Sequence, residues 1–466
     1  MKHLLFFFSV FFTLSPNLHA QEQSDSQISM GGDTSSVRSH FLNSQWQVHS
    51  RTFFMSTINE GHLKDDYTLA TGAGIGVLTE PFHGFQLGMN GFFIFELFSS
   101  DIDQPDSITG AMNRYELGMY DMTNPGNTKN LSRLEELYVK YNWKKHSVTA
   151  GRFNINTPFI NIQDGRMRPT LEEGVWAQLK PGKAVIQGGW IRKVLPRSTM
   201  SWYTMGSSLG TYSVGVDESG KKSGYGGHVE SEGLGIINFT YPLTEKLKMN
   251  LWNGFIENVL NTAIIELTHE RKDEKRNLNI YHGLMFIHQD AVGNGGNDLP
   301  AKAYATKGHQ SNTISAQVGF KNKRFNTSFN YTHVTGDGRY LMPREWGREF
   351  FYTFMPRERN EGSGNVHAFM TKTTLNSKNT RFKTAISYGY FNMPDVLDFR
   401  LNKYGMPDYH QINYEASYAF TRFLRGFELR TLLAYKINDG ETYNNPKYRY
   451  NKTDMLNINL VLDFKI

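Results

Sequence analysis

The sequence predicts an all-β fold: a transmembrane antiparallel up-and-down β-barrel of eighteen strands, with short periplasmic turns and long extracellular loops. Three observations lead to this class. Many segments of about ten residues alternate apolar and polar side chains. The N-terminus has the features of an export signal. The 466 residues are 14% aromatic yet include no Cys, and their mean hydropathy of -0.49 excludes a helical membrane protein.

The first twenty residues predict a secretory signal peptide. Lys2 and His3 precede an apolar run over residues 4–14, Pro16 interrupts the pattern, and Ala20 offers a small residue for cleavage before Gln21. The alternatives are a buried strand or a membrane anchor, but the run is too short to span a bilayer as a helix. We therefore expect a signal peptide at residues 1–20, a periplasmic segment at 21–45 and a barrel at 46–466.

Alternation with a period of two is clearest in three segments. Between Tyr67 and Val77 the even positions are only Thr, Ala or Gly, whereas Ile412–Phe420 and Leu456–Ile466 place apolar residues at every second position. Such a period gives a strand one apolar and one polar face. No long segment has the 3.6-residue period and caps of a helix.

The alternating segments are arranged as eight hairpins between two single strands. The single strands are expected near residues 46–56 and 455–466. The first strands of the hairpins are expected near 67–78, 134–143, 173–180, 234–241, 262–268, 312–320, 366–376 and 410–420. Their second strands are expected near 85–97, 147–152, 184–191, 247–257, 278–288, 325–333, 382–390 and 427–436. The pair at 262–288 has the weakest pattern, because every residue from Glu270 to Arg276 is charged.

An even number of long alternating strands is typical of a bacterial outer-membrane barrel. Aromatic residues fall near strand ends, where membrane interfaces lie, including Tyr141, Trp143, Tyr388 and Tyr390. The alternative is a soluble sandwich or propeller, but there is no repeat of 40–50 residues. Barrels of 16–18 strands leave an aqueous channel. The segment before the first strand is too short for a plug domain, so if this channel is narrowed, a loop must narrow it.

Two connections have the composition of such a loop. Residues 153–173 read FNINTPFINIQDGRMRPTLEE, and residues 334–365 are rich in Arg and aromatic residues. Connections of this length are usually functional or disordered, and the alternative is a solvated surface loop. We expect the 153–173 loop to fold inward and meet a basic wall. The expected constriction residues are Arg152, Asp164, Arg166, Arg168, Arg344, Arg348, Arg357, Arg359 and Arg430.

The segment TAGRFNINTPFINIQDGRMRPT, followed by VWAQL, resembles OprD-like outer-membrane porins where they enter their pore-narrowing third loop. Gly151, Pro158, Asp164, Arg166, Met167 and Pro169 match this pattern, and Arg168 departs from it. The stretch PREWGREFFYTFMPRERNEG resembles a loop of Bacteroidota-type members, and INLVLDFKI resembles the family's last strand. The resemblance implies an 18-stranded nutrient channel with basic residues along one wall of its constriction.

The expected function is passive diffusion of small hydrophilic nutrients: amino acids, small carboxylates or short peptides. The glycines at 72–76 lie in a strand and those at 293–296 suit turns, so we expect no enzyme activity and no cofactor. The alternative is an outer-membrane hydrolase of protease or lipase type, for which Ser, His and Asp are available, although a wide lumen favours a channel. Expected partners are the solutes, outer-membrane lipid and lipopolysaccharide, and the barrel assembly machinery. A net charge of +6 does not suggest nucleic acid.

Overall fold

The alternating segments form one closed antiparallel sheet. A computed structural model describes residues 43–162 and 165–466. The strands are β1 (Gln45–Asn59), β2 (Asp66–Leu78), β3 (Phe85–Ser99), β4 (Leu131–Trp143), β5 (His146–Phe153), β6 (Leu171–Leu179), β7 (Val185–Leu195), β8 (Tyr203–Thr204), β9 (Leu234–Pro242), β10 (Leu247–Ile256), β11 (Leu260–Asp273), β12 (Leu278–Ala291), β13 (Gln310–Lys321), β14 (Phe325–Val334), β15 (Val366–Asn376), β16 (Phe382–Asn392), β17 (Tyr409–Ala419), β18 (Phe427–Asn438) and β19 (Met455–Lys465).

Eighteen of these strands form the barrel wall, as the sequence predicts. Each pairs with its neighbours along the chain, and β7 pairs with β9, because β8 is only a two-residue extension beside the end of β7. Pairing of β1 with β19 closes the sheet from His49–Lys465 to Asn59–Met455. The hairpin with the charged turn is also present, and its strands β11 and β12 are among the longest of the barrel.

Long loops gather at one end of the barrel and short turns at the other. The long-loop end carries L1 (60–65), L2 (100–130), L3 (154–170), L4 (196–233), L5 (257–259), L6 (292–309), L7 (335–365), L8 (393–408) and L9 (439–454). The predicted signal peptide and most of the 21–45 segment lie outside the described residues. No helix in the described part of the chain is long and apolar enough to cross a membrane.

The period of two sorts side chains between the outer surface and the lumen. In β17, Ile412 and Tyr414 are 39% and 42% exposed, whereas the intervening Asn413 is fully buried. In β19, Leu460 lies outside and Asn459 is buried on the inner wall. An apolar outer face with a polar inner face is the arrangement of a barrel in lipid.

Candidate functional site

L3 contacts the inner wall of the barrel at several strands. The Arg166 carbonyl oxygen accepts a hydrogen bond of 2.8 Å from Nη1 of Arg51 on β1. Farther back along L3, the Asn161 amide donates to the Trp346 carbonyl oxygen of L7 at 2.9 Å. Since Arg51 alternates with outward residues of β1, L3 runs inside the lumen at this level.

Glycines in β2 make room for an aromatic residue beneath L3. A Cβ atom at Gly72 or Gly74 would come within 2.6 Å of the Phe92 ring. The ring therefore lies flat against β2, where it stacks on His49 at 4.7 Å and lies 4.2 Å below the Arg168 guanidinium. The Gly-rich strand thus has a packing role that fixes the position of Arg168.

A β-bulge in β4 turns two consecutive glutamates toward the lumen. The pairing of β3 with β4 shifts at Asn90, so that Glu135 is an extra residue and Glu136 resumes the inward row. Glu135 accepts a hydrogen bond of 2.7 Å from Arg168 Nε and lies 3.3 Å from Arg133 Nε. This buried carboxylate anchors L3 to β4, while Glu136 accepts a hydrogen bond from Asn154.

On the opposite side of L3, a second carboxylate forms ion pairs with two arginines. Asp463 of β19 accepts a 2.7 Å hydrogen bond from Arg51 Nε and another from Arg430 of β18. Arg430 lies on the inner wall directly across from Val461 and Ser417. Together these two ion-pair groups contain four cations, Arg51, Arg133, Arg168 and Arg430, and two carboxylates, Glu135 and Asp463.

L7 also enters the lumen and covers the wall formed by β17 to β19. The Pro356 carbonyl oxygen accepts hydrogen bonds from Gln411 and Asn413 at 2.7 and 2.9 Å. The next residue, Arg357, donates to the amide oxygens of Asn457 and Asn459. These contacts explain why inner-wall residues of β17 and β19 are buried although they face a channel.

The other predicted arginines of L7 have different partners. Arg344 is buried, pairs with Glu361 at 2.9 Å and lies 3.3 Å above the Tyr404 ring. Arg348 lies 4.2 Å from the Phe354 ring. Arg359 is half-buried in the same loop.

Six cations form a basic cluster between L2, L3, L7, L9 and β18. They are Arg114, Arg166, Arg357, Arg359, Lys436 and Lys452. Tyr115 lies among them, with the Arg114, Arg166 and Arg357 guanidiniums 5.6 to 5.9 Å from its ring. Within the described residues, none of the six forms an ion pair within 4.0 Å of a carboxylate oxygen.

Burial and mutual repulsion lower the pKa of two loop cations of the basic cluster, Arg114 and Lys452. Burial, together with the neighbouring charges of Arg344 and Arg359, lowers the pKa of Arg114 to about 10. For Lys452, burial lowers the pKa to about 7, with a smaller contribution from Arg114. Both effects disfavour the charged form, and a bound anion would oppose them and raise these pKa values.

The structure separates the predicted residues into three groups. Arg166, Arg168 and Arg430 meet around L3, and the four arginines of L7 lie farther along the lumen. Arg152 lies on the outer face of β5, opposite the exposed Leu137, so it does not line the lumen. Asp164 lies outside the described residues.

Sequence reasoning missed three cations of the basic cluster: Arg114, Lys436 and Lys452. A signal for Lys436 was present, since it occupies an inward position of β18 between the outward Tyr435 and Ile437. The alternation of β5 also places Arg152 on the same face as Val148 and Ala150. Arg114 and Lys452 lie in loops and carry no comparable pattern.

Several solved structures share this architecture. The Pseudomonas aeruginosa OccK9 (OpdG) structure is similar with a TM-score of 0.71 and 12% identity, covering 92% of this chain and 99% of that one. Acinetobacter baumannii OccAB4 gives 0.70 at 15% identity over 91% and 98% of the two chains. P. aeruginosa OpdK, determined with vanillate, gives 0.68 at 14% over 92% and 99%.

A search of curated proteins found no match. The family model for outer membrane porins of the OprD family matches residues 40–367, which is most of the barrel. The likeness to Bacteroidota-type members stays a prediction. With the closed eighteen-stranded barrel, the family match shows that this chain belongs to the OprD family of outer-membrane porins.

Proposed function

We propose that this porin selects small anionic solutes, carboxylates above all, through the basic cluster and the cations around L3. The observation that carries the proposal is the set of six buried or half-buried cations without an ion pair in the described chain. Glu116 and Glu358 lie near the basic cluster but outside ion-pair distance, and a buried charge without a paired counter-charge is costly. An anionic solute supplies that counter-charge, so binding relieves a cost that the empty channel bears.

The loop–wall contact at L3 forms the constriction. The ion-pair groups around it contain four cations but only two carboxylates, Glu135 and Asp463, so these groups carry an excess of positive charge. In a narrow, partly dehydrated passage a charge pair at ~4 Å is worth about 4 kcal/mol, against about 1 kcal/mol in bulk water. A few residues here can therefore set selectivity, whereas exposed loop charges are screened within ~8 Å.

Room for a small solute lies between L3 and the turn end of the barrel. A recess of about 400 Å³ is lined by side chains of β4 to β7, among them Tyr138, Lys140, Trp176 and Gln178. That volume is typical of small-molecule sites. The solute in the OpdK structure, vanillate, is itself a carboxylate, and amino acids, small carboxylates and short peptides all carry the group that the cations would recognise.

Reversal potentials test this selectivity. Arg114→Gln with Arg359→Gln removes two positive charges from the basic cluster; Lys221→Gln with Lys222→Gln removes two from an exposed part of L4. In planar bilayers under a salt gradient, the first pair should shift the reversal potential toward cations and slow carboxylate entry into liposomes. The second pair should match the native channel. Equal behaviour of both pairs would contradict the proposal.

The alternative activity, hydrolysis by an outer-membrane barrel, has its own assay. Purified protein incubated with chromogenic esters and peptides should leave them intact. We further propose that residues 1–20 are removed on export and that the barrel assembly machinery inserts the chain into the outer membrane. Retention of residues 1–20 in protein extracted from membranes would contradict the first of these.

A further inference from the structure

The outer surface of the barrel carries a group of charges on β5, β6 and β7. Arg152 Nε lies 2.8 Å from Oε2 of Glu173, and Lys193 Nζ lies 3.5 Å from its Oε1. Glu173 stands directly across from both Arg152 and Lys193 in the sheet. The neighbouring outward residues Leu137 and Val175 are exposed and apolar, so these charges adjoin the lipid-facing surface.

A second β-bulge concentrates positive charge at this place. The pairing of β6 with β7 shifts between Glu173 and Gly174, so that Arg192 is an extra residue of β7. Arg192 and Lys193 therefore both point outward, where simple alternation would turn one of them inward. Arg192 is exposed, and the Lys193 side chain is 44% exposed. We call Arg152, Arg192 and Lys193, with Glu173 between them, the outer basic patch.

The outer basic patch lies at the height of a membrane interface. Arg152 is six residues and Lys193 eight residues from the turn ends of their strands. At ~3.3 Å per residue and a tilt of ~40°, eight residues rise about 20 Å, close to the ~25 Å apolar band of such barrels. The outward aromatic residues Tyr331 and Tyr390 lie equally far along β14 and β16. Trp202 of L4 also lies 4.7 Å from the Arg152 guanidinium.

The outer surface of β12 to β17 carries no permanent cation at this height. At this height or up to two residues farther along, the outward positions of β12 and β14 to β17 are occupied by His288, His333, His367, Asn392 and His410. The outer basic patch has three permanent cations and one carboxylate. It thus presents an excess positive charge where the headgroups of the outer leaflet would lie.

We propose that the outer basic patch binds the phosphate groups of a phosphorylated glycolipid of the outer leaflet, lipopolysaccharide. Arginine forms paired hydrogen bonds to phosphate oxygens, and lysine adds a mobile charge. Glu173 holds Arg152 and Lys193 in place but repels the phosphate. The acyl chains would lie on the apolar surface beside Leu137 and Val175. This site is independent of the channel and of the solute that the channel carries.

Binding of bisphosphorylated lipid A to the purified barrel tests the proposal. Titration in detergent, followed by native mass spectrometry, gives the affinity of each variant. Arg192→Gln with Lys193→Gln should weaken binding by about tenfold, because each cation near a charged lipid surface contributes several-fold. Glu173→Gln should strengthen it. Lys221→Gln with Lys222→Gln, which removes the same charge from L4, should leave it unchanged.

Three results would overturn the proposal. One is equal loss of affinity in the two double variants. Another is equally tight binding of lipid A from which both phosphates have been removed, or of phosphatidylglycerol. The third is a change of oligomeric state in lipid-free detergent when Arg192 and Lys193 are replaced, which would assign the surface to a second copy of the chain. Glu173→Gln is expected to bind lipid A more tightly, which a misfolded barrel would not do. This variant therefore separates an electrostatic effect from misfolding.

Discussion

Glu135 and Glu136 are adjacent residues with the same side chain, and the bulge in β4 turns both toward the lumen. Their partners differ. Glu135 is 1% exposed and lies between Arg133 and Arg168, whereas Glu136 accepts a hydrogen bond from the exposed side chain of Asn154. Replacing Glu135 by Gln leaves two buried arginines without their carboxylate, at a cost of about 3 kcal/mol. Replacing Glu136 by Gln keeps an acceptor for Asn154 and only weakens a hydrogen bond worth about 1 kcal/mol.

Because Arg168 belongs to L3, this cost falls on the docking of the loop. About 3 kcal/mol changes the ratio of docked to undocked loop by roughly a hundredfold. Glu135→Gln should therefore increase open-channel noise and mean conductance in single-channel recordings, while Glu136→Gln should resemble the native channel. Thermal melts of both variants would show whether the whole barrel is affected. Equal noise in the two variants, with both barrels intact, would refute the anchoring of L3 by Glu135.

Three further predictions concern the strands of the barrel wall and Lys452 of L9. Ala416→Arg should cost ~2–4 kcal/mol in folding into lipid vesicles and Ser417→Arg much less, because only the first faces lipid; equal losses would contradict this facing. Deleting Leu456–Ile466 removes the strand that pairs with both β1 and β18, so no heat-modifiable, protease-resistant barrel should form. Burial lowers the pKa of Lys452 to about 7, so this side chain gains a positive charge as the pH falls from 8 to 6. Anion selectivity should therefore increase over that range. Lys452→Met should abolish that rise, and persistence of the rise would exclude this lysine as its source.

The barrel could be predicted because its pattern is local. Each strand must present apolar residues to lipid and polar residues to water, so segments such as Leu456–Ile466 reveal their faces without knowledge of their neighbours. Closure also followed from the even number of strands and from the cost of an unpaired edge in lipid. Even the hairpin at 260–291, with charged residues throughout its turn, has the predicted pairing.

The β-bulges could not be predicted from the alternation of single strands, and they decide which charged side chains face the lumen. Strict alternation places one of Glu135 and Glu136 outside, and one of Arg192 and Lys193 inside. The extra residue in each case is defined by the partner strand, at Asn90 and Gly91 of β3 and at Glu173 and Gly174 of β6. Neither strand alone contains that information, so the facing of these charges depends on the register of the pair.

The same limit applies more strongly to the basic cluster. Arg344 and Arg357 belong to one loop and are equivalent in a reading of the sequence, yet Arg344 pairs with Glu361 while Arg357 donates to the amides of Asn457 and Asn459. The amides leave a full positive charge available to a solute, whereas the carboxylate neutralises it. Arg114 and Lys436 come close only because L2 folds back over a wall built at the other end of the chain. Composition can therefore indicate a basic lumen, but the basic cluster that we propose to bind a solute consists of the cations that closure of the barrel leaves without an ion pair in the described chain.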